Sequence, residues 1–418
     1  MVESRKRFRR LVVKFGGSTL DDGERISKAV GAIADEVAKG SKLVVVVSAM
    51  GKTTDHLLET ANKASRGEVA RQELDDILSM GERTSSRIFV TALSAKGVKS
   101  RYFDPTDSDW PIITDRSFGD AAPLLEACRK QINRYLQPLV EKNVVPVIPG
   151  FVGKTLDGKI TTLGRGGSDT TAFVLGRYLP ADEVVLVTDV DGILTADPKL
   201  VDQPKRLSEV DASILARIAD SGTKFIHKKA LKYKDEATPV RVIKYSEGRL
   251  DAKGTLITGV FPRELCCELA SRSEVASLTI VGRGISEEPA VIQEIVAEIK
   301  DRNVPLLGAS VNYDSLIAYI PQDHLHDVLQ SIHSIVLRHK ATVAMAVRQD
   351  LAFLKVKGVG LEETPGVVGR ISYPLRHNHI NIFGIFTITS SIIVFVSWND
   401  REKAMALIKE SLRGNRND

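Results

Sequence analysis

Cysteine is scarce. The 418 residues hold three, Cys128 and the adjacent pair Cys266-Cys267. That is neither a disulfide framework nor a metal-ligand spacing, and it fits a reducing cytoplasm. An excess of one charge is missing too. Lys and Arg number 58 against 53 Asp and Glu, a net +5, and the two signs are interspersed along the chain. Such a balance offers no basic face for nucleic acid. The local exception, Arg5-Lys6-Arg7-Phe8-Arg9-Arg10, reads as a solvated N-terminal extension, because no apolar signal-type core follows it. Long apolar runs are also lacking. Leu43–Val47 is far too short to span a bilayer, so no membrane segment is expected. What remains is ordinary globular composition, with length for two or three domains.

Up to about residue 265, short β-branched runs alternate with helical patterns. Leu11–Val13 leads to a helix over Asp21–Lys39, a strand at Leu43–Val47 and a helix over Thr54–Ala64. Val144–Ile148, Glu183–Thr188 and Val240–Ile243 follow as further strands of the kind buried in a parallel sheet. The pattern predicts α/β architecture, a three-layer αβα fold around a central, mainly parallel sheet. Ligands of such sheets bind beyond the C-terminal strand ends. Gly16-Gly17 and Thr188-Asp189 stand in that position.

Beyond 265 the chain reads as two repeats of strand, helix, strand, strand, helix. The first comprises Ser277–Val281, Pro289–Arg302, Gly308–Asn312, Leu316–Ile320 and Leu325–Leu337, with a further strand at Thr342–Val347. The second comprises Ala352–Val356, Gly366–His377, Ile380–Thr389, Ile392–Trp398 and Asp400–Leu412, and has no closing strand. An unpaired edge is usually avoided, so a segment from about 265–275, centred on Leu265–Ala270, is expected to complete it. The domains expected are therefore 1–264, 265–348 and 349–418, the last two being small α+β units.

The richest motif is Leu163-Gly164-Arg165-Gly166-Gly167-Ser168-Asp169-Thr170-Thr171. Its glycines leave backbone amides open to an anion, and a guanidinium, a hydroxyl and a carboxylate are threaded between them. A helix over Ala172–Leu179 would place this loop at a helix N-terminus, which favours negative charge. A tight turn between two elements would need none of the three polar side chains. The second motif, Lys14-Phe15-Gly16-Gly17-Ser18, follows the first strand. It is not a Walker A sequence, which puts its Lys after the glycines. A Lys there suits a transferring phosphoryl group, whose negative charge spreads over its oxygens.

These two motifs, with Ser48-Ala49-Met50-Gly51, Met80-Gly81-Glu82, Thr188-Asp189-Val190-Asp191-Gly192 and Thr195-Ala196-Asp197-Pro198, resemble the ordered motifs of the aspartate kinases. These enzymes belong to the amino-acid kinase superfamily and carry C-terminal tandem ACT domains of ferredoxin-like α+β fold, so the resemblance spans nearly the whole chain. It implies transfer of the ATP γ-phosphate to the side-chain carboxylate of L-aspartate, the first step of lysine, threonine and methionine biosynthesis. It further implies Mg²⁺ bridging the nucleotide phosphates, and a cytoplasmic homodimer or dimer of dimers joined through ACT domains that either take an amino-acid effector or serve only to dimerise.

Site roles follow from the resemblance position by position. Lys14, Asp169 and Lys224 would be catalytic, with Asp169 orienting the lysines. Lys14, Phe15, Gly16, Gly17, Thr188, Asp189, Leu194, Lys199, Lys224 and Phe225 would border ATP. Thr54, Glu82, Phe151, Arg165, Gly166, Gly167 and Ser168 would border aspartate. Arg165 can grip a carboxylate bidentately and Glu82 can take an ammonium. The attacking carboxylate is already ionised at neutral pH, so no general base is required. Departures from the pattern are Leu194 where a Tyr is common, and Lys228 where a Pro is common after the His. In the first repeat, Glu288-Pro289-Ala290 and Leu307 replace the Pro-Gly and the acidic residue of effector-binding members. The second repeat keeps Pro365-Gly366-Val367 and Asn381-Ile382. Alternatives are a kinase of the same superfamily acting on glutamate, acetylglutamate or a carbamate, and a non-enzymatic amino-acid sensor. Retention of Lys14 and Asp169 argues against the sensor.

Overall fold

The computed structural model describes residues 9–219, 226–261, 265–358, 361, 365–388 and 391–413. The chain divides into two compact units, Met1–Arg263 and Glu264–Asp418.

The strands of the first unit are β1 (Arg10–Phe15), β2 (Lys42–Val47), β3 (Ser100–Tyr102), β4 (Ile113–Thr114), β5 (Val145–Pro149), β6 (Val152–Thr155), β7 (Ile160–Thr162), β8 (Glu183–Thr188), β9 (Glu209–Asp211), β10 (Val240–Lys244) and β11 (Thr255–Thr258). Its helices are α1 (Gly23–Ala38), α2 (Thr53–Ala64), α3 (Arg71–Ala95), α4 (Leu125–Gln131), α5 (Gln137–Glu141), α6 (Gly167–Tyr178), α7 (Ala212–Ala219) and α8 (Lys228–Leu231). One sheet runs β3-β5-β2-β1-β8-β10-β11-β9, and a small second sheet runs β4-β6-β7. From β3 to β10 every neighbouring pair is parallel. All of those C-terminal ends therefore open on one edge.

Strands β1, β2 and β8 are almost continuously apolar because both of their faces are covered. Leu11, Val13 and Phe15 pack with Ile26, Val30 and Ile33 of α1 and with Phe89 and Leu93 of α3. The alternate residues, Val12 and Lys14, face α6, which packs along β1, β2 and β8. Buried side chains run without a break from Asp169 to Gly176, as expected of a helix enclosed on all sides.

One expected boundary needs correction, and one helix was not expected. The helix placed at Ala172–Leu179 begins five residues earlier, at Gly167. Gly166, with φ +72°, turns the chain in left-handed geometry, and the helix takes over at once. Asp169 therefore lies inside the first turn and not in a loop. Helix α3 has no counterpart in the sequence reading. The buried face of its first half is made of Asp75, Leu78, Ser79, Gly81, Glu82, Ser85 and Ser86, which carries almost no hydrophobic periodicity.

The second unit contains β12 (Cys266–Leu269), β13 (Val275–Gly282), α9 (Pro289–Asp301), β14 (Gly308–Val311), β15 (Ser315–Pro321), α10 (Leu325–Arg338), β16 (Thr342–Lys357), α11 (Val367–His377), β17 (Gly384–Ile388), β18 (Ser391–Ser397) and α12 (Arg401–Arg413). They form one sheet, β14-β15-β13-β16-β18-β17, with β12 also on β16. The two strands expected at Thr342–Val347 and Ala352–Val356 are a single strand, β16. Its first half pairs with β13 and its second half with β18. The join is a bulge. Opposite the two-residue step from Val275 to Ser277, β16 steps three, from Leu351 back to Arg348, with Asp350 at φ +58°. Strand β12 lies antiparallel to Leu354–Lys357.

Helices α9 and α10 cover one apolar cluster of this sheet, and α11 and α12 cover another. The repeat is visible in detail. Asn303 and His379 both take left-handed turns (φ +55° and +57°). The amides of Leu307 and Phe383 then donate to the carbonyls of Tyr319 and Phe395, each at 2.8 Å. Tyr319 and Phe395, equivalent in the two repeats, stack on each other at 3.9 Å and 6°.

Candidate active site

Segments that leave the parallel strand ends converge on one another. Ser48 N–H, just past β2, donates to Phe15 O at the end of β1 (3.2 Å), and Gly51 N–H donates to Gly17 O (3.1 Å). Gly16 N–H reaches Val187 O of β8 at 3.3 Å. The glycine-rich turn after β1 is thus held by both of its neighbours.

Lys14 shares the α6 face of β1, and its Nζ meets Asp169 Oδ1 at 2.7 Å. The Lys14 side chain is 16% exposed and that of Asp169 9%, so the pair is largely withdrawn from water without being sealed. An ion pair of this kind fixes the direction in which the ammonium points. Asp169 also stands in the first turn of α6, where helical amides lack intrahelical acceptors and negative charge is favoured. Ser168, one residue earlier, shares a hydrogen bond with Ser48 (Oγ to Oγ, 3.0 Å). Ser85 Oγ of α3 donates to Ser48 O at 2.7 Å. Three segments, α3, the turn after β2 and the start of α6, are tied by this serine relay.

Glu82 is the most perturbed group nearby. It is only 4% exposed, and its Oε1 accepts the Ala49 N–H at 3.1 Å. Its Oε2 is buried and has no hydrogen-bond partner among the described residues. Burial pushes the carboxyl up to about 8, against the smaller opposing pull of the Ala49 amide. A buried acceptor without a donor is costly, and it is a common mark of a site awaiting a ligand. Thr54 lies beside it, its Oγ1 being 3.7 Å from where a methyl on Gly81 would stand. That methyl would approach Ala49 Cβ to 2.9 Å, so only glycine lets α3 bring Glu82 this close to the turn after β2.

Arg165 is exposed and forms no hydrogen bond or ion pair among the described residues, which leaves its guanidinium available. Phe151, just past β5, holds φ +65°, and its ring closes on Gly167, where a methyl would stand 2.8 Å from Cδ2. Gly166 abuts His227, whose Cβ would lie 2.6 Å from a methyl there. The aspartate-side residues named from sequence thus gather around the starts of α6 and α2 and the middle of α3.

On the β8 side, Asp189 faces Arg25 at 3.6 Å, and Arg25 also donates to Ser18 O at 2.6 Å. Thr188 is partly buried, and Leu194 is partly buried in an isolated backbone bridge to Arg206. Lys199 is exposed, with its amide on Asp197 Oδ1 (2.8 Å). Lys224 and Phe225 lie outside the described residues.

Sequence reasoning missed Ser48, Ser85, Arg25 and Asp75. Asp75, 1% exposed, accepts the amides of Gly119 and Thr162 (2.9 Å each) and the Thr162 hydroxyl (2.7 Å). Burial raises its carboxyl, and those donors pull it back. Only the quoted Ser48–Gly51 motif could have pointed to Ser48. Nothing local marks the others.

A family model described as the amino acid kinase family matches residues 9–244, and an ACT domain model matches residues 346–410. An aspartokinase of Thermus thermophilus is 29% identical over 413 residues, covering 96% of this chain and 98% of the relative. The aspartate kinase of Pseudomonas putida is 32% identical over 398 residues, covering 90% and 91%. Among solved structures, the aspartate kinase from Synechocystis superposes with a TM-score of 0.81 at 25% identity, covering 98% of this chain and 70% of that one.

Proposed function

This chain belongs to the amino acid kinase family and, within it, to the aspartate kinases; on that premise we infer that it transfers the γ-phosphate of ATP to the side-chain carboxylate of L-aspartate. The product is 4-phospho-L-aspartate, the entry point to lysine, threonine and methionine. The observation that carries the substrate is the buried Glu82 Oε2, without a hydrogen-bond partner among the described residues, on the helix that the Ser85–Ser48–Ser168 hydrogen bonds tie to the start of α6, where Asp169 meets Lys14.

The proposed roles follow from charge. Glu82 accepts the substrate's ammonium and Arg165 grips its α-carboxylate bidentately. Thr54, Phe151, Gly166, Gly167 and Ser168 form the remaining wall, and the side-chain carboxylate is left to point at the phosphate. Lys14, aimed by Asp169, neutralises the charge that spreads over the transferring phosphoryl oxygens. The backbone of Phe15, Gly16 and Gly17 cradles that group, and the nucleotide lies toward Thr188, Asp189, Leu194 and Lys199. Lys224 and Phe225 are proposed there from sequence alone. The nucleophile is ionised at neutral pH, so positioning and charge neutralisation are the whole of the protein's task. Among the described residues no three potential ligands gather to cage a metal. A Mg²⁺ bound with the nucleotide, as the resemblance implies, would draw off the charge of its phosphates.

No helix among the described residues is long and apolar enough to cross a membrane, and the enzyme is proposed to be cytoplasmic. The second ACT repeat, with Gly366 capping α11 at φ +80°, is the proposed seat of an amino-acid effector. Edge strands β14 and β17 each pair on one side only among the described residues, which supports assembly into a homodimer or dimer of dimers. A coupled assay of ADP release with aspartate, glutamate and N-acetylglutamate tests the reading. Preference for aspartate is expected, and strong preference for either competitor overturns it. Adding lysine, threonine and methionine, singly and in pairs, to the same assay is expected to lower the rate; a flat response removes the effector site.

A further inference from the structure

We propose that Asp75 is a positioning residue for aspartate: it anchors the root of the Leu163–Gly166 loop to the same helix that carries Glu82. The inference rests on the reading of Glu82 and Arg165 as the groups that hold the two charged ends of the substrate.

Asp75 precedes Glu82 by seven residues on α3, two helical turns, and both belong to its buried face. All three of its hydrogen bonds go to the neighbourhood of the loop root. Oδ1 takes the hydroxyl of Thr162, while Oδ2 takes the Thr162 and Gly119 amides. Thr162 ends β7, and the chain passes directly from it into Leu163-Gly164-Arg165. The next carbonyl, Leu163 O, accepts from Lys229 Nζ at 3.0 Å, and Lys229 is paired with Asp120. Asp120 adjoins Gly119, which returns to Asp75. The result is a closed ring of Asp75, Thr162, Leu163, Lys229, Asp120 and Gly119. It draws on α3, the 115–122 segment, β7 and α8. A second tie, Ala121 N–H to Thr162 O at 2.9 Å, doubles the contact between two of these segments.

A buried carboxylate with no cationic partner among the described residues is an expensive way to pin one strand end, because burial opposes its charge. Its position explains it. Aspartate is gripped at both ends, so the separation between the Glu82 acceptor and the Arg165 guanidinium must match one small molecule. Asp75 makes a single rigid helix the ruler for that separation. Of the phosphate-handling groups, Lys14 and the turn after β1 hang on other strands, and Asp169, which aims Lys14, is held within α6, packed along β1, β2 and β8. Loosening the ring should therefore weaken aspartate and leave ATP alone.

The test is steady-state kinetics of the full chain in both substrates, with thermal melts as a check on folding. Asp75→Asn sets an amide donor against backbone donors, and should raise KM for aspartate about tenfold or more, with KM for ATP within about twofold. Thr162→Val, which deletes only the hydroxyl, should give a smaller rise of the same kind, and Thr162→Ser should restore the wild-type value. If Asp75→Asn fails to fold, the Thr162 pair carries the test. Unchanged KM for aspartate in folded variants, or equal rises in both KM values, overturns the proposal while leaving the aspartate kinase reading intact. A wild-type chain that does not phosphorylate aspartate overturns both.

Discussion

Replacing Glu82 by Gln tests the site at its most perturbed group. The side chain keeps its shape and its bond from the Ala49 amide, but exchanges the unpartnered Oε2 for an amide donor. In the free protein the carboxyl lies at about 8 against an ordinary 4.5, so ionising it in place costs about 5 kcal/mol more than in water. A folded-state value above the unfolded one means that the native protein binds the extra proton between those two pH values. Stability of the free wild type should therefore fall as pH rises from about 4.5 to about 8, then level off. Glu82→Gln should flatten that slope, and above pH 8 it should melt higher than wild type, with the 5 kcal/mol as the ceiling.

Activity should move the other way. Only the ionised carboxyl pairs with an ammonium, so wild-type kcat/KM for aspartate should rise about tenfold between pH 7 and 9. Glu82→Gln should lose that dependence and raise KM for aspartate roughly 100-fold, the scale of one buried charged hydrogen bond. KM for ATP should hold. The assays are thermal melts across pH and initial rates in both substrates. A variant with unchanged KM for aspartate, or a wild-type profile flat from pH 6 to 9, would refute the reasoning.

Lys14→Ala should lower turnover at least ~100-fold, as expected for losing one preorganised charge, and it also strands Asp169 beside the helix start. Unchanged kcat would remove Lys14 from the mechanism. Gly166→Ala forces a side chain into a φ of +72° and sets a methyl 2.6 Å from His227 Cβ. A stability loss of about 1–3 kcal/mol is expected, together with a higher KM for aspartate; an unaltered melting temperature would contradict the geometry.

The parallel core was legible because its strands are short and β-branched and are buried on both faces. Strand β8 runs over Glu183–Thr188, where the pattern places it. The glycine-rich turns after β1 and before α6 were legible because clustered glycines punctuate a chain where it must turn tightly. Helix α3 was not, since its first half faces inward with serine, glycine and carboxylates, so no apolar stripe announces it. The early start of α6 was hidden by the same glycines that mark the motif. The fusion of two strands into β16 depends on a bulge at Asp350, which periodicity cannot reveal.

By itself the sequence determined the α/β class and the order of the main parallel strands β1, β2, β5, β8 and β10, because both are written in local pattern and residue type. Tertiary structure alone decided that Lys14 meets Asp169, that Glu82 is stripped of water and left one donor short among the described residues, and that Asp75 ties the loop root to the same helix. The reason is physical. Pairing and desolvation depend on what remote parts of the chain bring alongside a group, and no short stretch of sequence carries that information.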